Sequence, residues 1–239
     1  MSILRERLLN ISSKFKQLLP AQPCVLCGSM SHHGLWCAPC EASLPYLDAA
    51  HCPACALPST QGEVCGQCLK LPPIFTRTTA VFAYRYPLNK LIQRMKYSEQ
   101  LPLAHAFALQ LARKIDLTER PDYVIAMPLH PSRLRERGFN QSLLIAQTLA
   151  HHHQLKLLPT ACERVRATEP QTSLPRDQRA KNMRGAFQCH VELTGKHVVL
   201  VDDVLTTGAS LSALAAAVHA CGAAKIENWV VARTVGHDA

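Results

Sequence analysis

The sequence predicts an α/β fold, a mainly parallel sheet with helices on both faces, preceded by a small metal-binding module. Three observations predict it. After Pro72 and Pro73, short apolar runs of strand length alternate with segments whose apolar residues recur every three or four positions. Before residue 70, eight cysteines fall in four CxxC pairs. Further on, an apolar run ends in two adjacent carboxylates and a Thr-Thr-Gly turn. Strands alternating with helices pair in parallel, because each crossover needs a helix, and the helices then cover both faces.

The totals agree with that frame. A chain of 239 residues can bury one substantial core and carry a small accessory module. With 48% hydrophobic and 18% charged residues it is globular rather than disordered. No apolar run reaches the length of a bilayer span, and residues 1–20 lack both a continuous apolar stretch and a small-residue cleavage site. The expected location is cytoplasmic, where eleven cysteines serve metal better than disulfides. The formal charge is +9, with 21 Lys and Arg against 13 Asp and Glu over 71–239. Two four-thiolate zinc sites would lower that to about +5. A basic C-terminal domain favours anionic partners, either phosphates or nucleic acid.

In order along the chain, Leu4, Leu8, Ile11, Phe15 and Leu18 share one helical face, so 1–20 reads as an amphipathic helix. It packs on its own domain or docks on a membrane surface or partner. The module over 21–72 carries Cys24/Cys27, Cys37/Cys40, Cys52/Cys55 and Cys65/Cys68, a CxxC-x9-CxxC unit used twice. Each CxxC turn puts two sulfurs on one side of a tight loop, and two turns complete a tetrahedral shell for zinc. The repeat favours sequential pairing over a crossed one. Four thiolates per ion leave no place for water, which makes both zincs structural. Cys162, Cys189 and Cys221 read as scattered, buried small residues.

Over 73–239 the pattern predicts a strand at 79–85, helical faces at Leu88, Leu91, Ile92, Met95 and at Leu103, Phe107, Leu111, and a strand at 123–127. A helix over 140–151, a strand at 197–201, a helix over 209–220 and a strand at 225–231 complete it. The three histidines at 151–153 read as a solvated helix end. Segment 128–142 (PLHPSRLRERGFNQS) reads as a loop. Its Arg133, Arg135 and Arg137 suit diphosphate or a nucleic-acid backbone, because guanidinium matches phosphate geometry. A further basic stretch, 164–184, includes Arg164 and Arg179, lacks periodicity and reads as a long loop.

Segment 198–210 (VVLVDDVLTTGAS) is the most specific feature. Its apolar residues form a buried strand, and Asp202 and Asp203 follow at the strand's exposed carboxyl end, where open α/β sheets place ligands. Thr206, Thr207, Gly208, Ala209 and Ser210 then turn into a helix whose N-terminus can receive an anion. Neither GxxxxGK[ST] nor GxGxxG occurs, which excludes a Walker loop and a dinucleotide fingerprint.

Those residues resemble the 5-phosphoribosyl diphosphate (PRPP) signature of type I phosphoribosyltransferases. The resemblance implies a domain of that type over 73–239, with Asp202 and Asp203 as a catalytic pair on the ribose 2′ and 3′ hydroxyls. It also implies that 206–210 hold the 5-phosphate and that Mg²⁺ bridges diphosphate and ribose. Four CxxC turns, MKY (95–97), RERGFNQS (135–142), RxRxTxPQ (164–171), RxxNMRGAF (179–187) and VDDVLTTGAS together resemble the ComF/GntX family. That likeness implies a double zinc ribbon ahead of the transferase-like domain. It further implies a role in DNA uptake, natural transformation or DNA utilisation, with the uptake or recombination machinery as a partner, and the basic stretches suit a surface that tracks single-stranded DNA. The alternative is transfer of phosphoribosyl from PRPP to a nucleobase or amine.

Overall fold

The structure is a computed structural model describing residues 21–236 apart from 33, 48–49, 98–99, 167–182 and 184. The helix expected over 1–20, and Arg179, lie outside the described residues. The chain divides into two compact units, Met1–Leu44 and Pro45–Ala239.

In the first unit, strands β1 (Gln22–Pro23) and β2 (Met30–Ser31) pair antiparallel, and helix α1 (Ala38–Ala42) starts directly after Cys37. Trp36 and Leu44 are buried with Cys24. The larger unit opens with the second cysteine set, in which α2 (Gly66–Lys70) likewise starts directly after Cys65. The sequence repeat is thus a structural one. Gly28 (φ 75°) and Ala56 (φ 56°) follow the second cysteine of each opening pair in the left-handed region that a tight knuckle requires.

The sheet of the larger unit has five strands in the order β3-β9-β8-β4-β5, every neighbouring pair parallel. They are β3 (Arg77–Ala83), β4 (Tyr123–Ala126), β5 (Lys156–Leu157), β8 (His197–Leu205) and β9 (Lys225–Arg233). A two-stranded antiparallel ribbon, β6 (Cys162–Arg164) with β7 (Phe187–Cys189), stands apart from the sheet. The helices are α3 (Leu88–Tyr97), α4 (Pro102–Ala112), α5 (Pro131–Arg137), α6 (Gln141–His153) and α7 (Ala209–Ala220).

Val198 to Val201 on the central strand are fully buried, as a strand covered on both faces must be. Leu211, Leu214, Ala215 and Val218 of α7 join one core cluster with Val198, Leu200, Ile226 and Val230. α4 and α6 pack on each other and, respectively, against β9 and β8. Gly222 (φ 94°) ends α7, and a Cβ there would sit 2.9 Å from the Thr194 Cα, so both backbone and space demand glycine.

Several expectations need correction. β8 does not stop at 201: Asp202, Val204 and Leu205 continue to pair with Val230, Ala232 and Arg233. Its acidic pair is accordingly buried rather than exposed. Segment 128–142 is not all loop, since α5 occupies its middle. Pro131 opens α5, the His130 side chain accepts from Ser132 N–H, and Gly138 (φ 79°) closes it. No α5 residue is buried, so no apolar stripe announced it. Arg164 leaves the expected loop for β6 and is buried. His151 and His152 are exposed as expected, but His153 is half-buried with its ring 6.3 Å from Trp229. The three C-terminal cysteines are not scattered: Cys162 and Cys189 are cross-strand partners, and the Cys221 thiol lies 3.4 Å from the Cys189 carbonyl.

Candidate functional site

The eight N-terminal cysteines form two clusters, Cys24, Cys27, Cys37, Cys40 and Cys52, Cys55, Cys65, Cys68, with the four sulfurs of each within 4.8 Å of one another. The pairing is sequential. A tetrahedral ion with Zn–S bonds of about 2.3 Å separates its sulfurs by about 3.8 Å. Cys27 and Cys37 sulfurs are 3.7 Å apart, and so are those of Cys55 and Cys65. All-sulfur donor sets of this size fit structural zinc.

At the carboxyl end of the sheet, Asp202 and Asp203 are held by different partners. The Ser142 hydroxyl, in the first turn of α6, donates to Asp202 Oδ1 at 2.9 Å, and the Asp203 N–H donates to the same oxygen at 2.9 Å. Ser142 is positioned by Asn140, whose side chain caps α6 through Ser142 N–H and Leu143 N–H while donating to the Met127 carbonyl at 3.0 Å. Lys96, near the end of α3, puts its ammonium 2.5 Å from Asp203 Oδ2. α3 turns Leu88, Leu91, Ile92 and Met95 into the core, and Lys96 follows that buried edge.

Burial, followed by the neighbouring Asp203 charge, pushes the Asp202 carboxyl up to about 7, against the opposing pull of Lys96. Burial would raise Asp203 too, but Lys96 and, further off, Arg137 hold it below the usual carboxylate range. Two adjacent carboxylates thus differ in protonation near neutrality, Asp202 partly protonated and Asp203 ionised. Lys96, despite its burial, is raised by Asp203 and stays charged.

Arginines expected at this edge separate into groups. Arg133 and Arg137 are half-buried one helical turn apart on α5, while Arg135 between them is exposed. Arg137 donates to Gln141 Oε1 at 2.6 Å and lies 5.2 Å over the ring of exposed Tyr97. Arg164 is buried, which works against its charge, and it lies within electrostatic range of Arg133 and of Asp202. Thr206, Thr207, Gly208, Ala209 and Ser210 form the turn into α7. Gly208 (φ 87°) is its N-cap without a side-chain cap bond, whereas His130 and Asn140 cap α5 and α6. The Thr207 hydroxyl sits 3.4 Å from Ala209 N–H.

Sequence reasoning missed four of these residues. Lys96 and Ser142 appeared only inside motifs, and Tyr97 likewise. Arg233, which ends β9, donates to the carbonyls of Leu205, Thr206 and Thr234 and so braces the root of the turn. Its signal was a charged residue closing the apolar run WVVA, opposite the end of β8.

Residues 15–69 match the double zinc ribbon domain family, and residues 163–237 match the phosphoribosyl transferase domain family. The DNA utilization protein YhgH of Escherichia coli O6:H1 is 35% identical over 222 residues, covering 89% of this chain and 97% of that one. Competence protein F of Haemophilus influenzae is 31% identical, covering 88% and 96%. Competence protein ComFC of Bacillus subtilis is 23% identical, covering 73% and 74%. With zinc-ribbon cysteines in two four-sulfur clusters and a type I phosphoribosyltransferase-like α/β sheet, the chain belongs to the ComF family.

Proposed function

We propose that this protein binds PRPP with Mg²⁺ at the carboxyl end of β8 and acts in DNA uptake, natural transformation or DNA utilisation, where it contacts single-stranded DNA. The observation that carries the ligand assignment is the buried Asp202–Asp203 pair followed by the Gly208-capped start of α7. Carboxylates are the acceptors that ribose hydroxyls need. A helix start with glycine as its N-cap and no side-chain cap bond suits a terminal phosphate. Asp202 and Asp203 would take the ribose hydroxyls, 206–210 the 5-phosphate, and Arg133, Arg137 and Arg164 the diphosphate or a nucleic-acid backbone. Mg²⁺, when bound with the ligand, neutralises diphosphate charge. The DNA role is carried over from the names of the relatives, and the basic residues of α5 support it. Cytoplasmic residence fits this role; among the described residues no helix is long and apolar enough to cross a membrane.

A second function, transfer of phosphoribosyl to a nucleobase or amine, is favoured by Asp203 alone. A carboxylate held ionised by Lys96 at this edge is suited to an oxocarbenium-like state. Calorimetric titration with PRPP and Mg²⁺ tests the shared site. Binding should occur in the wild type and vanish in the folded Asp202→Asn, Asp203→Asn double variant. Unchanged affinity in that variant would refute the site. An acceptor screen on the wild type then separates binding from turnover.

A further inference from the structure

The second cysteine cluster is docked on the sheet through three successive carbonyls of its Cys52–Cys55 knuckle. Thr78 N–H donates to the Pro53 carbonyl at 2.8 Å, and the Thr78 hydroxyl donates to the Ala54 carbonyl at 2.6 Å. The Asn228 amide donates in turn to that hydroxyl at 3.2 Å. The third carbonyl, of Cys55, accepts from Arg233 Nε at 2.8 Å. Arg233 is 4% exposed, and its other arm donates to the carbonyls of Leu205 at 3.0 Å, Thr206, and Thr234 at 2.9 Å. Leu205 and Thr206 directly precede Thr207 and Gly208 of the turn. One buried guanidinium therefore joins a zinc-ligand residue to the root of the candidate phosphate turn.

We infer that Arg233 is a positioning residue through which zinc at the second cluster fixes the 205–210 turn. All four carbonyls are main-chain atoms, so their places depend on the fold of each segment rather than on a rotamer. The knuckle keeps its fold while the four sulfurs of the cluster, two of them its own, are tied to a metal. Without the metal, Cys55 no longer holds its carbonyl in place. A buried Nε–H that loses its acceptor bears a desolvation cost, so the guanidinium shifts and takes the turn with it. Lysine cannot substitute, because a single ammonium cannot point a fork in two directions at once. The consequence for PRPP affinity rests on the ligand assignment above; the coupling itself does not.

Amide hydrogen exchange of the 205–212 segment, in the full chain without ligand, tests it. Cys65→Ser, which opens the second cluster, should speed exchange there at least tenfold and leave β4 protected. Cys27→Ser, which opens the other cluster, should not change it. Arg233→Ala should reproduce the acceleration with both zinc ions retained, and Arg233→Lys should resemble it. Wild-type exchange in Arg233→Ala, or an unchanged turn after Cys65→Ser has lost its ion, overturns the coupling. If Cys65→Ser also exposes β4, the protein has unfolded and Arg233→Ala decides alone. Failure of PRPP to bind the wild type would remove the ligand assignment while leaving this result standing.

Discussion

Lys96 on α3 and Asp203 on β8 form an ion pair at 2.5 Å with the carboxylate side chain 5% exposed and the ammonium side chain 23% exposed. Such a pair is a weak source of net stability, because desolvating both charges offsets their attraction. Its role is to choose a charge state. It keeps Asp203 ionised beside an Asp202 that is not fully so.

Breaking the pair from one side should be costly. Lys96→Met leaves a buried carboxylate uncompensated, a loss of about 3–5 kcal/mol. In the wild type the lowered Asp203 carboxyl contributes stability that is present above its unfolded pKa and lost as pH falls through the folded one. In Lys96→Met burial acts unopposed by that cation, so Asp203 takes up a proton as pH falls and the penalty shrinks. Urea denaturation of both proteins at pH 8 and pH 5 checks this. Equal losses at the two pH values would count against the pair as the determinant.

Asp202 makes the opposite demand. Its folded carboxyl titrates at about 7, whereas an unfolded Asp titrates at about 3.9. Between those values the folded state holds a proton that the unfolded state has released. Stability contributed by that proton is complete below the unfolded pKa and is lost as pH rises through about 7. Asp202→Asn removes the titration, so its melting temperature should vary less over this window. At pH 8 it should exceed the wild type by roughly a few degrees. Calorimetric melts at pH 5.5 and 8 decide it; an Asn variant that is the less stable of the two at pH 8 would show that Asp202 is not strained there.

Metal content is the simplest measurement. Elemental analysis should find two zinc ions per folded chain, and Cys65→Ser should retain one. A folded protein that binds neither ion would contradict the sulfur geometry of both clusters.

What the sequence made legible is what repeats or alternates. Cysteine spacing specified both clusters, and the apolar run at 198–201 with Leu211, Leu214 and Val218 specified the central strand and its helix. Lys96 and Ser142 were not legible as partners of the acidic pair, because they sit on α3 and α6, far away in sequence, and meet β8 only once the sheet is assembled. α5 escaped because it buries nothing, and a helix set by Pro131 and Gly138 has no periodic stripe to read. Arg233 lies beyond the expected end of its strand, and its partners are backbone carbonyls that no side-chain pattern encodes.

The last prediction concerns DNA. Arg133 and Arg137 are half-buried on successive turns of α5, with Arg137 in electrostatic reach of Asp203, while Arg135 between them is exposed. If single-stranded DNA runs past the candidate site, the first two carry it; if it runs along the outer flank, Arg135 does. Each phosphate contact on a single strand adds about 0.7 to the slope of log affinity against log salt. Arg133→Ala with Arg137→Ala should therefore flatten that slope by about 1.4, and Arg135→Ala alone should change it little. The same two arginines are offered to the diphosphate of PRPP, so PRPP with Mg²⁺ should displace the strand from the wild type. Fluorescence anisotropy of a labelled oligonucleotide, titrated at several salt concentrations with and without PRPP, reads both effects. A slope unchanged in the double variant, together with undisturbed binding at saturating PRPP, would move DNA contact away from α5.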